Sequence, residues 1–190
     1  MGSFDLANLA EAMLLGVALA MDAMAVTLSN SLCEPHMPFS KKIAMPIAFA
    51  IFQVAMPIAG FFGGTLIAGL IDAYAGIVSL AILAFVGGKM VWEAVRKLRE
   101  PETCETASLT FATIFFEAIA TSIDAFVVGV SFAATGKNIF LYSGAIGVMT
   151  FLCCGFVLVL GRRLGERFGA RAQVAGGIVL ILIGLKAFLG

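Results

Sequence analysis

Charged side chains are scarce in this chain of 190 residues. Lys and Arg together number 12, Asp and Glu together number 12, and the formal net charge is zero. Ordinary soluble domains carry about 25% charged residues, whereas this chain has 13%, so it cannot build a water-facing surface of normal polarity. Because the chain also lacks a surplus of basic residues, we expect no nucleic-acid partner.

Histidine and cysteine are rarer still, with one His and four Cys. His36 lies in a turn-forming stretch, and we interpret it as a loop residue. No Ser-His-Asp or Cys-His arrangement, no HExxH motif and no nucleotide-binding fingerprint can be assembled, so we expect neither an enzyme nor a bound cofactor. The cysteines have no CxxC spacing, which favours small packed residues over metal ligands or a disulfide.

Apolar residues dominate instead: 61% of the chain is hydrophobic and the mean hydropathy is +1.06. A bilayer crossing takes about 20 residues, which leaves room for about six helices and short loops. The apolar runs predict an all-α membrane protein, a single transmembrane domain over residues 1–190 in which consecutive helices pack as neighbours. The six predicted transmembrane helices are 9–31, 43–68, 74–95, 109–134, 139–161 and 173–189.

Most of the basic residues fall in alternate loops. Lys41 and Lys42 lie in the first loop, three more within 96–99 in the third, and four within 162–171 in the fifth. Because Lys and Arg concentrate on the cytoplasmic side, we expect these loops, including a linker at 96–108, in the cytoplasm and both termini outside. The first eleven residues contain no Lys or Arg, so we expect a retained first helix rather than a cleaved signal peptide.

The two halves of the chain resemble each other. The segment around Asp22 (20–29) matches the segment around Asp124 (122–131), and at a slightly smaller constant offset Lys89 matches Lys186. Each half contains three crossings, an odd number, so the second half must enter the membrane from the opposite side. This predicts two inverted three-helix repeats, 9–95 and 109–190, an architecture with which many transporters build a site at the membrane midplane.

Asp22 and Asp124 each lie near the middle of an apolar run. A carboxylate there costs at least about 2.5 kcal/mol to insert, so its presence calls for a reason. One interpretation is that the two carboxylates face each other and together neutralise a divalent cation. The alternative is a pair of structural carboxylates, protonated or hydrogen-bonded to nearby backbone.

Helical spacing extends a polar face from each aspartate. Ser29 follows Asp22 at i+7, and Ser131 follows Asp124 in the same way. In the second half Thr121 and Glu117 continue the stripe toward the start of the helix. We expect these side chains among the metal ligands. The alternatives are hydroxyls bonded back to their own helix and a glutamate near the membrane surface.

Three further polar residues are candidates in the apolar helices. Gln53 lies one turn before Pro57, which kinks a helix and frees carbonyl oxygens. Gln53 and its repeat partner Thr150 are predicted neutral ligands, or alternatively polar groups that hold helices together. Lys89 is spaced to pair with Glu93 one turn later. Lys89 either reaches the interface or contacts a site carboxylate when the cation is absent, and we assign the pair to coupling or gating.

Four segments together resemble one family. They are 21–26 around Asp22, Phe52-Gln53 followed by Met56-Pro57, 87–90 followed by Glu93, and 118–125 around Asp124. They are similar to the MntP family of bacterial manganese efflux pumps, in order and over nearly the whole chain. The resemblance implies a six-helix exporter of Mn²⁺ in the bacterial inner membrane, distantly related to lysine-exporter-type transporters, with the two repeat aspartates as its principal functional residues.

The predicted function is therefore secondary-active export of manganese(II) by alternating access. Oxygen ligands suit a hard cation such as Mn²⁺. No ATP-binding motif is present, so we expect protons as the counter-ion, taken up by carboxylates that have lost their cation. The expected partners are Mn²⁺, protons and membrane lipid, and the oligomeric state stays open. The alternatives are export of another divalent cation or of a small amino-acid-like solute, and a non-transport membrane scaffold subunit.

Overall fold

A computed structural model describes residues 6–34, 36–65, 75–99, 109–164 and 166–189. All regular structure in these ranges is helical, which confirms the all-α prediction and six helices over the described part of the chain. The helices are α1 (Leu6–Cys33), α2 (Phe39–Thr65), α3 (Ala75–Arg99), α4 (Phe111–Thr135), α5 (Ile139–Leu164) and α6 (Glu166–Leu189).

Helix ends next to charged segments differ from the prediction. The segment 162–171 was predicted as a loop, yet α5 continues to Leu164 and α6 already begins at Glu166. Likewise α3 runs on to Arg99, past its predicted end at residue 95. Arg, Lys and Glu are good helix formers, so a charged cluster ends an apolar run without ending the helix. The rest of the predicted linker, 100–108, lies outside the described residues.

Four helical segments among the described residues are long and apolar enough to cross a membrane: Asn8–Cys33, Phe39–Thr65, Phe111–Thr135 and Ile139–Leu160. Six crossings therefore stay a prediction. Large apolar side chains point outward, among them Phe85 at 70%, Phe116 at 68% and Val159 at 80% exposure. Apolar surface on this scale is typical of helices that face lipid.

The turn between α4 and α5 is defined by its capping residues. The Thr110 hydroxyl accepts a hydrogen bond from the Thr113 backbone N–H at 3.1 Å and caps the start of α4. Gly136 ends α4 with φ of 64°, a left-handed conformation that favours glycine. The Asn138 side chain then accepts from the Leu141 N–H at 3.4 Å in the first turn of α5. These caps set the two ends of the helix that carries Asp124.

Helix packing crosses between the two halves of the chain. The most extensive contacts among the described residues join α2 with α4, α1 with α5, and α3 with α6, whereas α1 and α2 touch only slightly. The expectation that consecutive helices are the main packing neighbours is therefore wrong. A short loop limits the distance between two helix ends, but it does not decide which faces pack together.

Glycine allows the closest of these crossings. A Cβ on Gly129 of α4 would collide with the Pro57 backbone of α2, and a Cβ on Gly60 would collide with the Phe126 carbonyl. At the crossing of α3 and α6, a Cβ on Gly177 would lie 2.6 Å from the Gly87 carbonyl oxygen. Glycine thus brings these backbones together and places the polar side chains of different helices within reach of each other.

The cysteines fall into two groups. Cys154 is buried and Cys153 half-buried, and both are free, as expected for small packed residues. Cys33 is exposed and disulfide-bonded, so that interpretation is wrong for this residue. Cys33 lies at the end of α1, outside the packed helix faces. Cys104 lies outside the described residues.

Candidate cation site

Asp124 forms the charged centre of the candidate site. It lies in the middle of α4, and its side chain is only 8% exposed. The Lys89 ammonium of α3 donates to Asp124 Oδ1 at 3.1 Å and lies 3.9 Å from Glu93 Oε1. The structure therefore places Lys89 between a buried carboxylate on another helix and a more exposed one on its own helix.

Asp22 lies in the middle of α1 and is half-buried. The Gln173 side chain of α6 donates from Nε2 to Asp22 Oδ1 at 2.5 Å. Lys89 also interacts electrostatically with Asp22 as well as with Asp124. One lysine thus compensates part of the charge of both carboxylates, and four helices, α1, α3, α4 and α6, contribute to this polar centre.

Sequence reasoning missed Gln173. This side chain is completely buried and comes from α6. The predicted sixth helix began at residue 173, so Gln173 looked like a polar residue at a helix end. Because α6 begins at Glu166, Gln173 instead lies two turns inside the helix. A polar amide beside an apolar run was the available signal, but Gln173 lacks the following proline that drew attention to Gln53.

Gln53 connects α2 to the helix that carries Asp124. Its side chain is completely buried, and Nε2 donates to the Thr121 backbone carbonyl at 3.3 Å. Thr121 lies one turn before Asp124. The Gln53 Oε1 atom is buried and has no hydrogen-bond partner among the described residues. An unpaired amide carbonyl oxygen can serve as a hard, neutral ligand.

The threonine hydroxyls bond back to their own helices. The Thr121 hydroxyl donates to the Glu117 carbonyl at 2.9 Å, and Thr150 donates to the Ile146 carbonyl at 2.8 Å. This is the bonding pattern of the alternative interpretation for these residues. A threonine oxygen that donates in this way can still accept or coordinate through its second lone pair.

Glu117 and the two predicted serines extend the polar stripe. Glu117 is half-buried nearly two turns into α4 and accepts a hydrogen bond from Asn30 Nδ2 of α1 at 2.7 Å. Ser131 is buried two turns after Asp124, and Ser29 is half-buried two turns after Asp22. The structure therefore places Glu117 in a link between α1 and α4, the helices that carry the two aspartates.

The site is not a preformed cluster of strong metal ligands. Across the described ranges, no group of three or more His, Cys, Asp and Glu side chains could hold a metal ion. His36 is exposed. What the helices bring to this centre is the Lys89–Asp124 ion pair and the Gln173–Asp22 hydrogen bond. Carboxylate and amide oxygens are ligands of the type that hard cations prefer.

A second polar cluster, centred on Glu11, lies near the start of α1. Glu11 forms ion pairs with Lys137 and with Lys186, the latter at 2.6 Å. It also accepts a hydrogen bond from the Tyr142 hydroxyl at 3.2 Å. The cluster connects α1 to α5, to α6 and to the turn before α5. Sequence reasoning gave Glu11, Lys137 and Tyr142 no role.

Long apolar helices enclose polar contacts made by Asp22 and Asp124. These features define the class of the protein as a multi-pass helical membrane protein with a polar centre shared between its helices. Residues 36–188 match the Mntp family, described as "Putative manganese efflux pump". The chain therefore belongs to the MntP family, which is a family of transporters rather than enzymes.

Three individual relatives are similar to this chain in length and share one name with each other. The chain is 37% identical over 182 residues to "Putative manganese efflux pump MntP" of Ruminiclostridium cellulolyticum, covering 96% of each chain. It is 38% identical over 173 residues to the protein of that name from Methanosarcina mazei, covering 91% of each. A relative from Campylobacter hominis is 37% identical over 179 residues, covering 94% of this chain and 96% of its own. No solved structure matches the chain.

Proposed function

We propose that this chain exports Mn²⁺ from the cytoplasm, with Asp22 and Asp124 as its principal cation ligands. The observation that carries the proposal is the contact of Lys89 with Asp124 at 3.1 Å, within electrostatic reach of Asp22. A lysine that pairs with one mid-membrane carboxylate and acts electrostatically on the other carries positive charge that a bound cation would supply. Membership of the MntP family supports Mn²⁺ as the cation.

The charges allow an exchange between lysine and metal. Two carboxylates and one ammonium leave one negative charge, whereas two carboxylates and one divalent cation are neutral. When the cation binds, Lys89 must leave Asp124, and Glu93, now 3.9 Å from the ammonium, is the acceptor beside it. Lys89 thus competes with Mn²⁺ for Asp124 and assists its release. Further oxygen atoms line the proposed ion path. They belong to Gln53, to the hydroxyls of Thr121, Thr150, Ser29 and Ser131, and to Glu117.

We interpret the fold as two inverted repeats, α1–α3 and α4–α6. Exchanging the halves converts the α1–α5 contact into the α4–α2 contact, and both are extensive. The same exchange turns α3 into α6 and α6 into α3, so the α3–α6 contact is converted into itself. Gly87 packs against Gly177, and their counterparts Gly184 and Leu80 also lie close together. These paired contacts support a pseudo-twofold axis through the bundle.

A departure from this symmetry supports alternating access. Lys89 and Lys186 occupy equivalent places in the repeats, yet Lys89 binds Asp124 while Lys186 binds Glu11. Glu11 lies about three turns away from Asp22 along α1. The two equivalent lysines therefore have different ion-pair partners. Exchanging these pairings between the halves gives a second state in which Lys186 approaches Asp22, and this exchange opens the site to the other side.

Orientation and coupling complete the mechanism. With the basic loops in the cytoplasm, the Glu11 cluster lies on the outer side, where its ion pairs close the exit. Protons are the simplest counter-ion, because a carboxylate that loses its cation in a site of low dielectric takes up a proton. The protein then acts in the cell membrane as a secondary-active exporter.

Transport by purified protein in proteoliposomes tests the proposal. We expect uptake or release of Mn²⁺ that accelerates several-fold when a pH gradient drives protons in the opposite direction. Competition with Fe²⁺, Cd²⁺ and lysine separates Mn²⁺ export from transport of another cation or of an amino-acid-like solute. Mn²⁺ transport rates that do not change with the pH gradient would reject proton coupling. Absence of any transport, with intact folded protein, would favour a scaffold subunit.

A further inference from the structure

Gln173 has an unsatisfied oxygen next to a carboxylate. The side chain is completely buried, and its Nε2 donates to Asp22 Oδ1 at 2.5 Å. Its Oε1 is buried as well and has no hydrogen-bond partner within the described part of the chain. Leaving a buried carbonyl oxygen unpaired is unfavourable, so such an atom in a native protein calls for a ligand or a second conformation.

We propose that Gln173 binds the exported cation directly through Oε1, together with Asp22, an inference that rests on the proposed function. A rotation of about 180° at the end of the side chain exchanges Nε2 with Oε1, because the amide is planar with two terminal atoms of similar size. The oxygen then lies where the nitrogen now contacts Asp22. An octahedral cation with ligands at about 2.1 Å holds neighbouring oxygens about 3 Å apart, so one ion fits between these two after a small outward shift of the amide.

Gln173 and Lys89 respond differently when the cation arrives. An ammonium has donors and no acceptor, so Lys89 has to leave Asp124. An amide has both, so Gln173 stays beside Asp22 and changes from hydrogen-bond donor to oxygen ligand. A neutral oxygen also adds a hard ligand without a further negative charge, which suits a site that has to release its ion.

Two substitutions separate a ligand from a residue that only orients Asp22. Gln173→Met nearly keeps the size of the side chain and replaces the hard oxygen with a soft thioether, whereas Gln173→Glu keeps an oxygen and loses the donor. Dissociation constants for Mn²⁺ and Cd²⁺ are measured on the purified full chain. We expect Gln173→Met to weaken Mn²⁺ binding about 10-fold but Cd²⁺ binding less than about 3-fold. Gln173→Glu should keep Mn²⁺ binding within about 3-fold.

The outcomes that overturn the proposal are distinct from those that overturn Mn²⁺ export. An equal change for both metals in Gln173→Met, or a large loss of Mn²⁺ binding in Gln173→Glu, means that the amide does not bind the ion. If one variant does not fold, the other still tests the proposal. Gln173→Met does so by the difference between its Mn²⁺ and Cd²⁺ affinities, and Gln173→Glu by its retained Mn²⁺ affinity. Failure of the proposed function is recognised by other results. Either the wild-type protein does not bind Mn²⁺, or the dissociation constant for Mn²⁺ is unchanged in Asp22→Asn.

Thr27→Val is the matched control. Thr27 is completely buried on α1, and its hydroxyl donates to the Ala23 carbonyl of the same helix at 2.7 Å. Removing this hydroxyl deletes a buried polar group on the helix that carries Asp22 and leaves Gln173 unchanged. Both dissociation constants should stay unchanged, and a loss as large as that of Gln173→Met would show a general disturbance and reject the proposal.

Discussion

The two repeat aspartates occupy equivalent positions but have different partners. Asp124 is buried and binds the ammonium of Lys89 at 3.1 Å. Asp22 is half-buried and binds the neutral amide of Gln173 at 2.5 Å. Asp124 is therefore held by a charge that a metal has to displace, whereas Asp22 is held by a group that can remain when the metal binds. Equivalence in sequence does not imply equivalence in role.

The largest expected effect is the loss of either carboxylate. Asp22→Asn and Asp124→Asn each remove one of the charges that balance a divalent cation, and we expect transport to fall on the order of 100-fold in both. Asp124→Asn should also lower the melting temperature more than Asp22→Asn, because it leaves Lys89 without its nearest buried partner. Transport by proteoliposomes and thermal unfolding of the purified variants measure the two effects.

A double variant sharpens this comparison. Replacing Lys89 by Met in the Asp124→Asn background removes the unpaired charge, so the melting temperature should recover while transport stays lost. Wild-type manganese resistance of a pump-deficient cell carrying either aspartate variant, at equal protein level, would contradict the site assignment. Equal melting temperatures for the two single variants would contradict the difference between their surroundings.

The next effect compares the two equivalent lysines. Lys89→Met removes the competitor for Asp124, so Mn²⁺ should bind about 10-fold more tightly and leave more slowly, with lower turnover. Lys186→Met is the comparison variant, because in the described state Lys186 is 72% exposed and paired with Glu11. By the proposed exchange it approaches Asp22 only in the second state. Its Mn²⁺ affinity should change less than about 2-fold. Weaker Mn²⁺ binding in Lys89→Met, or the same change in both variants, would contradict the exchange of lysine for metal.

The sequence was sufficient to predict the helices and to single out the two mid-helix aspartates as candidates, for reasons visible in individual residues. Apolar runs of membrane-spanning length are rare in other folds, so they located all six helices over the described ranges. A carboxylate in mid-membrane is costly enough to stand out. The spacing of Lys89 and Glu93 by one turn likewise follows from helix geometry alone.

What could not be predicted depends on contacts between distant segments. Glu11 is separated from Lys186 by nearly the whole chain, and nothing in its local sequence shows that α1 and α6 meet there. The role of Gln173 depended on the start of α6, which a cluster of helix-forming charged residues concealed. The packing of α1 with α5 is decided by which faces fit, so loop length could not reveal it.

The smallest expected effect concerns how closely the helices approach at the two equivalent crossings. Gly60 of α2 meets the backbone of α4 beside Phe126, whereas the equivalent crossing of α1 and α5 includes the side chains of Met24 and Val157. Gly60→Ala inserts a methyl group against backbone and should destabilise the protein by about 1–3 kcal/mol. Gly63→Ala, on the same helix with open space around it, should be neutral or stabilising by up to about 1 kcal/mol.

Thermal unfolding in detergent measures both glycine variants, and Mn²⁺ affinity adds a functional readout. Phe126 lies two residues after Asp124, so pushing α4 away from α2 should also weaken Mn²⁺ binding a few-fold in Gly60→Ala and leave Gly63→Ala unchanged. If the two variants behave alike, close contact between α2 and α4 does not position Asp124. The ion pair with Lys89, rather than the close glycine crossing, would then distinguish the surroundings of Asp124 from those of Asp22.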